Sequence, residues 1–190
     1  MQIIGNFIER DTSGNSDFLI INYSPSSLPL KQRWRNNSLS ADFIADYLST
    51  FFPVEDDESL KRRAEIKDGV NFVANELLEN AMKFNFPANK YPVRLFMALT
   101  RDKILLYVTN YIDSSVVAPW QDELNRMLTG DTAEQFMQQL IENNKEANAD
   151  SGLGYLSMIN DWNAKLAWKF EPVKDDNNVQ KITVMAQLPI

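Results

Sequence analysis

The sequence predicts an α+β fold, a two-layer sandwich whose mixed, mainly antiparallel sheet carries helices on one face. Three observations predict it. Apolar residues Val70, Val73, Ala74, Leu77, Leu78, Ala81 and Phe84 recur at helical spacing, so one face of a helix over 70–84 must be buried. Val93, Leu95, Met97 and Leu99 alternate, Thr100 to Lys103 reverse the chain, and Ile104, Leu106 and Val108 alternate back as a hairpin. A second pair of strands, 165–170 and 182–188, surrounds the polar loop 172–180 and closes the sheet. Hairpin pairing with helices gathered on one side gives the sandwich.

The elements follow in chain order. Ile4 and Phe7 suggest a short strand over 2–9, ended by the polar turn 11–15, and residues 17–23 read as a second strand. Together, residues 1–30 are expected to form an N-terminal hairpin closed by the loop 24–29. Ser40 is the expected N-cap of a helix whose face is Phe43, Ile44, Tyr47, Leu48 and Phe51, stopped by Pro53. Asp56, Asp57 and Glu58 favour the start of the next helix through its dipole, and Pro87 and Pro92 separate that helix from the first long strand. Residues 114–150 hold two helical segments, 120–129 closed by Gly130 and 132 to about 147, marked by Leu124, Met127 and Leu128 and by Phe136, Met137, Leu140 and Ile141. Gly152 and Gly154 open a last helix.

Composition narrows the function. The 190 residues are 44% hydrophobic, enough for one substantial core and short for two, so 1–190 is expected to be a single domain. No signal segment and no membrane-spanning run stands out, which makes the cytoplasm the expected location and a membrane partner unexpected. The chain has neither cysteine nor histidine, which excludes disulfides, thiolate or imidazole metal sites, Ser-His triads and a histidine phosphoacceptor of its own. A net charge of −7 argues against nucleic acid, since the basic groups at 31–35 and 61–63 are short and not interleaved with aromatics.

Glu76, Asn80 and Lys83 stand at i, i+4 and i+7 and form one line along the border of the apolar helix face. A carboxylate, a neutral amide oxygen and a cation are what a metal-nucleotide site needs, for a proton or water, for Mg²⁺ and for phosphate. The plainer alternative is a solvated edge in which Glu79 and Lys83 pair along the helix. Downstream, Gly152, Leu153 and Gly154 at a helix start offer backbone N–H groups to phosphate.

In this order, E-L-L-E-N-A-M-K-F and G-L-G-Y-L-S-M-I resemble the N box and second glycine box of the GHKL ATP-binding superfamily, over roughly residue 58 to the C-terminus. That superfamily includes histidine-kinase catalytic domains, Hsp90-type ATPases and anti-sigma-factor serine kinases. The resemblance implies the Bergerat fold, ATP and Mg as cofactors, and a bacterial partner-switching role. It makes Glu76 the catalytic base, Asn80 the Mg²⁺ ligand, Lys83 a phosphate contact, and Gly152, Leu153 and Gly154 the phosphate loop. Residues 114–150 become a lid over the nucleotide.

The first glycine box departs from the pattern: Asn110 stands where the adenine-reading aspartate belongs, Ile112 where the first glycine belongs, and both glycines are missing. An Asn can still accept from the adenine amino group and donate to the ring, so Asn110 is the implied adenine contact. Ile182 falls where the family places a threonine, with Thr183 on the opposite face of its strand. This departure resembles SiaB-type regulatory kinases. The implied activity is a Ser/Thr protein kinase acting on a STAS-like antagonist, with a sigma factor or response regulator as the other candidate partners and a homodimer as the assembly. The alternative is a catalytically inactive GHKL-like interaction module, with or without nucleotide.

Overall fold

Strict alternation places the central strands. In the computed structural model, Val93–Leu99 (β3) and Lys103–Asp113 (β4) pair antiparallel, the Thr100 N–H donating to the Lys103 carbonyl at 3.0 Å across the turn. The structure describes residues 1–11, 17–24, 30–86, 91–143, 153–174 and 176–190, the side chains of 30–36 excepted. Lys165–Val173 (β5) and Asp176–Pro189 (β6) form the second hairpin, with β6 against β4 along its whole length. Both strands run further into the expected loop 172–180 than alternation of apolar residues suggested, and the Glu171–Lys181 ion pair at 2.8 Å spans that extension.

Gln2–Ile4 (β1) pairs with β5 and Asp17–Tyr23 (β2) pairs with β3, giving the strand order β1-β5-β6-β4-β3-β2 with every described pairing antiparallel. The expected N-terminal hairpin is therefore not formed: its two strands lie at opposite edges of the sheet. The physical reason is Gly5. Its φ of +78° suits glycine, and an added Cβ would lie 2.6 Å from the Leu166 carbonyl oxygen. The chain turns there and crosses the sheet instead of reversing along its edge. Of the expected turn 11–15 only Asp11 is described, and the loop 25–29 lies outside the described residues.

Helices cover one face. Asp57–Lys83 (α2) starts in a capping box, Ser59 N–H donating to Asp56 Oδ1 at 2.8 Å and Asp56 N–H to Ser59 Oγ at 3.0 Å. Its buried face is the expected one, Val70 through Ala81, except that Phe84 lies past the helix end and is 51% exposed. Leu30–Ser49 (α1) begins ten positions before Ser40, because the intervening Lys, Gln, Arg and Leu are good helix formers with no Gly or Pro among them. Ala41, Ile44, Ala45 and Leu48 are its fully buried side chains, so the expected apolar stripe is rotated and Phe43 points outward at 53% exposure. Among the described residues no helix is long and apolar enough to cross a membrane.

The helices pack on Leu95 and Met97 of β3, Ile104, Leu106, Val108 and Ile112 of β4, Leu166, Trp168 and Phe170 of β5, and Ile182, Val184, Ala186 and Leu188 of β6. The opposite parity faces outward, where Phe7 and Ile8 cover Phe96, Leu105, Tyr107, Ala167 and Met185. Tyr107 Oη donates to the Ile8 carbonyl at 2.9 Å, holding this N-terminal strap in place.

Candidate functional site

Glu76 and Asn80 stand one turn apart on α2 at the border of its buried face, and both are half-buried. Gly154–Trp162 (α5) begins directly against them. A Cβ at Gly154 would collide with Glu76 Oε2 and come within 3.5 Å of its Cδ and 3.8 Å of Asn80 Nδ2. At the other end of α5, Trp162 packs on Phe72, and a Cβ at Gly69 would meet its ring at 2.8 Å. Thus α5 lies antiparallel along α2, brought close by one glycine on each helix. The structure brings Gly154 to Glu76 and Asn80, 74 positions or more away in the chain.

Burial raises the Glu76 carboxyl above the ordinary range, and the neighbouring Glu79 charge adds to the rise. Tyr155 follows Gly154 and was not singled out by the sequence. Its ring stands edge-on to Trp168 at 5.3 Å, and burial, with the Glu76 charge as a smaller contribution, pushes its phenol up to about 12. An aromatic directly after the G-x-G was the available signal.

Lys83 continues the line on the exposed last turn of α2, its ammonium 5.2 Å from the centre of the Phe84 ring. Leu153 occupies the cap position of α5 and its carbonyl accepts the Ser157 N–H at 2.8 Å. Gly152 lies outside the described residues.

Asn110 faces the helices, between Val108 and Ile112 on the inner side of β4 and opposite Ile182, but it is only 3% exposed. Ile112 fills the core where the family pattern has a glycine. Thr183 faces the outer side, as expected, and shares a hydrogen bond with Thr109 at 2.9 Å. The next residue, Tyr111, ties β4 to the end of α2: its N–H donates to Asn85 Oδ1 at 3.0 Å and its carbonyl accepts the Phe86 N–H at 2.6 Å. Residues 85 and 86 therefore bond to β4 just beyond its pairing with the start of β3, without forming a strand themselves. Asn85 carries no periodicity signal, so this clamp was invisible in the sequence.

The expected lid begins with a 3₁₀ turn at Ser114–Val116, followed by Val117–Thr129 (α3) and Thr132–Asn143 (α4). Val117, Leu124 and Met127 are buried in the main core, and Trp120 stands edge-on to Phe170 at 6.0 Å. Thr132 and Asn160 bond reciprocally at 2.9 and 3.0 Å, fastening α4 to α5. On α4, Phe136 and Leu140 are half-buried while Met137 and Ile141 are exposed, so the expected apolar face is only partly covered. Residues 144–150 of the insertion lie outside the described residues.

No known family model matches this chain, and no curated protein matches it significantly.

Proposed function

We propose that this chain is a cytoplasmic, GHKL-like ATP-binding regulatory protein of a bacterial partner-switching system, acting as a Ser/Thr protein kinase on a STAS-like antagonist. The observation that supports it is the packing of Gly154 on Glu76 and Asn80. Two motifs far apart in the sequence meet at one place, and the glycine is needed there because any side chain would fill the space beside the carboxylate.

The residues fit Mg-ATP in kind. Among the described residues there is no group of three His, Cys, Asp or Glu side chains for a metal, so a divalent ion here would depend on Asn80 and the nucleotide's phosphates. Mg²⁺ keeps several waters and takes substrate phosphates as ligands in phosphoryl-transfer sites, so few protein ligands are required of the chain. Bound Mg-ATP supplies the γ-phosphoryl group. Asn80 would hold the ion through its amide oxygen, Lys83 would neutralise phosphate charge, and the backbone N–H groups at Leu153 and Gly154 would receive phosphate oxygens. Glu76 would accept the proton of the incoming Ser or Thr hydroxyl. Its half-buried carboxyl, raised above the ordinary carboxylate range, suits a base better than a fully solvated one does.

A second reading is a catalytically inactive module that holds a sigma factor, response regulator or antagonist by its surface. The burial of Asn110 and Ile112 favours it, because the implied adenine contact is closed to solvent and a core side chain replaces a glycine. Calorimetric titration of Mg-ATP into the purified protein, beside Asn80→Ala, separates the two. Saturable binding weakened by Asn80→Ala supports the ATP-dependent reading. Absence of heat across temperatures, with the protein folded, supports the inactive module.

A further inference from the structure

The outer face of the sheet, opposite the candidate nucleotide site, carries one polar row in register across its strands. Asn22, Arg94, Thr109, Thr183 and Lys169 are successive partners on β2, β3, β4, β6 and β5. Arg10 of the N-terminal strap lies on this row. Its Nη2 donates to Thr109 Oγ1 at 2.8 Å, and its guanidinium sits 5.6 Å from the centre of the Phe96 ring and 5.4 Å from that of Tyr107. These contacts fix its orientation. Arg94 stands opposite Thr109, exposed, with Nε donating to Asn22 Oδ1 at 3.0 Å.

The charges of this patch do not balance. Glu9 is held by Lys169 at 2.6 Å and Glu171 by Lys181 at 2.8 Å, while no carboxylate of the described residues forms a salt bridge with Arg10 or Arg94. Two guanidiniums are left as neighbours on one face of a chain whose net charge is −7. Burial is the main cause that lowers the Arg10 pKa, and the Arg94 charge adds to the lowering, opposed by Tyr107 and by the nearby Glu171 and Glu9 carboxylates, which are already held by lysines.

We infer that Arg10 and Arg94 form an anion-binding site on the outer face of the sheet, with Thr109 as the positioning residue for Arg10, and that its ligand is a phosphate group. A guanidinium presents a planar fork of N–H donors that matches phosphate oxygens, and one already oriented by a hydroxyl and two aromatic rings loses little freedom on binding. The anion removes the repulsion between the two arginines. This site is independent of the nucleotide reading, since it lies on the opposite face from Glu76, Asn80 and Gly154.

The test is titration of the full chain with inorganic phosphate at constant ionic strength, following the Nε–Hε signals of Arg10 and Arg94 by NMR. The expected result is a saturable shift of both signals, with affinity reduced about tenfold in Arg94→Gln and unchanged in Asn80→Ala. Arg94 is exposed, so its substitution leaves the fold in place. The site is overturned if both signals drift equally with chloride, if Arg94→Gln binds phosphate as the natural chain does, or if phosphate moves only signals near Gly154. A phosphoserine peptide distinguishes the source of the ligand. Tighter binding than inorganic phosphate supports the site and assigns it to a phosphorylated chain, whereas equal affinity supports it and assigns it to free phosphate.

Discussion

Gly154 rests directly on the carboxylate of Glu76, leaving no room for a side chain at the start of α5. The neighbour that must yield is the end of a flexible side chain, not backbone, so substitution is costly without being prohibitive. Gly154→Ala is expected to destabilise the protein by about 1 kcal/mol, the lower end of the range for overpacking. In a Glu76→Ala background the same change should cost almost nothing, giving a coupling of about 1 kcal/mol in a double-mutant cycle. Urea unfolding of the four proteins measures it. Strict additivity would mean that α5 does not approach α2 at this point.

Glu76 makes stability depend on pH. Its folded-state pKa is raised above the ordinary glutamate range, by burial first and by Glu79 second. A raised folded pKa means that the folded state binds the proton more tightly than the unfolded state. The contribution is therefore fully present below the unfolded pKa and is lost as pH rises through the folded value. Glu76→Gln should lack this loss, so the difference in Tm between variant and natural chain should move in the variant's favour between mildly acidic and neutral pH. Parallel Tm profiles across that interval would contradict the half-buried placement of the carboxylate.

The strap offers a separate test on the far side of the sheet. Tyr107 Oη donates to the Ile8 carbonyl, and burial is the main cause that pushes its phenol up to about 12. Tyr107→Phe keeps the ring beneath Phe7 and Arg10 but removes the hydrogen bond, at an expected cost of about 1 kcal/mol. The sign of the pH effect again follows from a raised folded pKa: the stabilisation is complete below pH 10 and disappears as pH climbs toward 12. In Tyr107→Phe the alkaline fall in stability should be shallower. Denaturation curves at neutral and alkaline pH, run side by side, decide it.

Periodicity revealed the parts of this fold that alternate or repeat strongly, and little else. The buried face of α2, the β3–β4 turn and the outward position of Thr183 could all be read from spacing, because burial on one face demands it. The meeting of Glu76 and Asn80 with Gly154 was anticipated from the two boxes, but not its tightness, since close approach of helices depends on three-dimensional packing. Pairing of β1 with β5 instead of β2 was hidden because short strands carry no information about their partner, and the deciding residue, Gly5, acts through a backbone angle. Phe43 misled for a related reason: an aromatic residue fits a helical stripe as well as its neighbours do, yet the smaller Ala41 and Ala45 are what allow α1 to lie close to α2.

Asn85 is the least conspicuous residue of the candidate site and provides its sharpest local test. Its Oδ1 accepts the Tyr111 N–H at 3.0 Å, in the place a β3 carbonyl would take if that strand continued. Without it, the only described tie between the end of α2 and this stretch of β4 is the Phe86 N–H to the Tyr111 carbonyl. Asn85→Ala leaves the Tyr111 N–H without its protein acceptor, an expected cost of about 1–2 kcal/mol that should be paid locally. Hydrogen exchange at the Tyr111 amide should then accelerate about tenfold, with amides of the central strands unchanged relative to global stability. Exchange at Tyr111 as slow as in the natural chain would show that the amide is protected by something other than Asn85, and that Asn110 is not held in place from the α2 side.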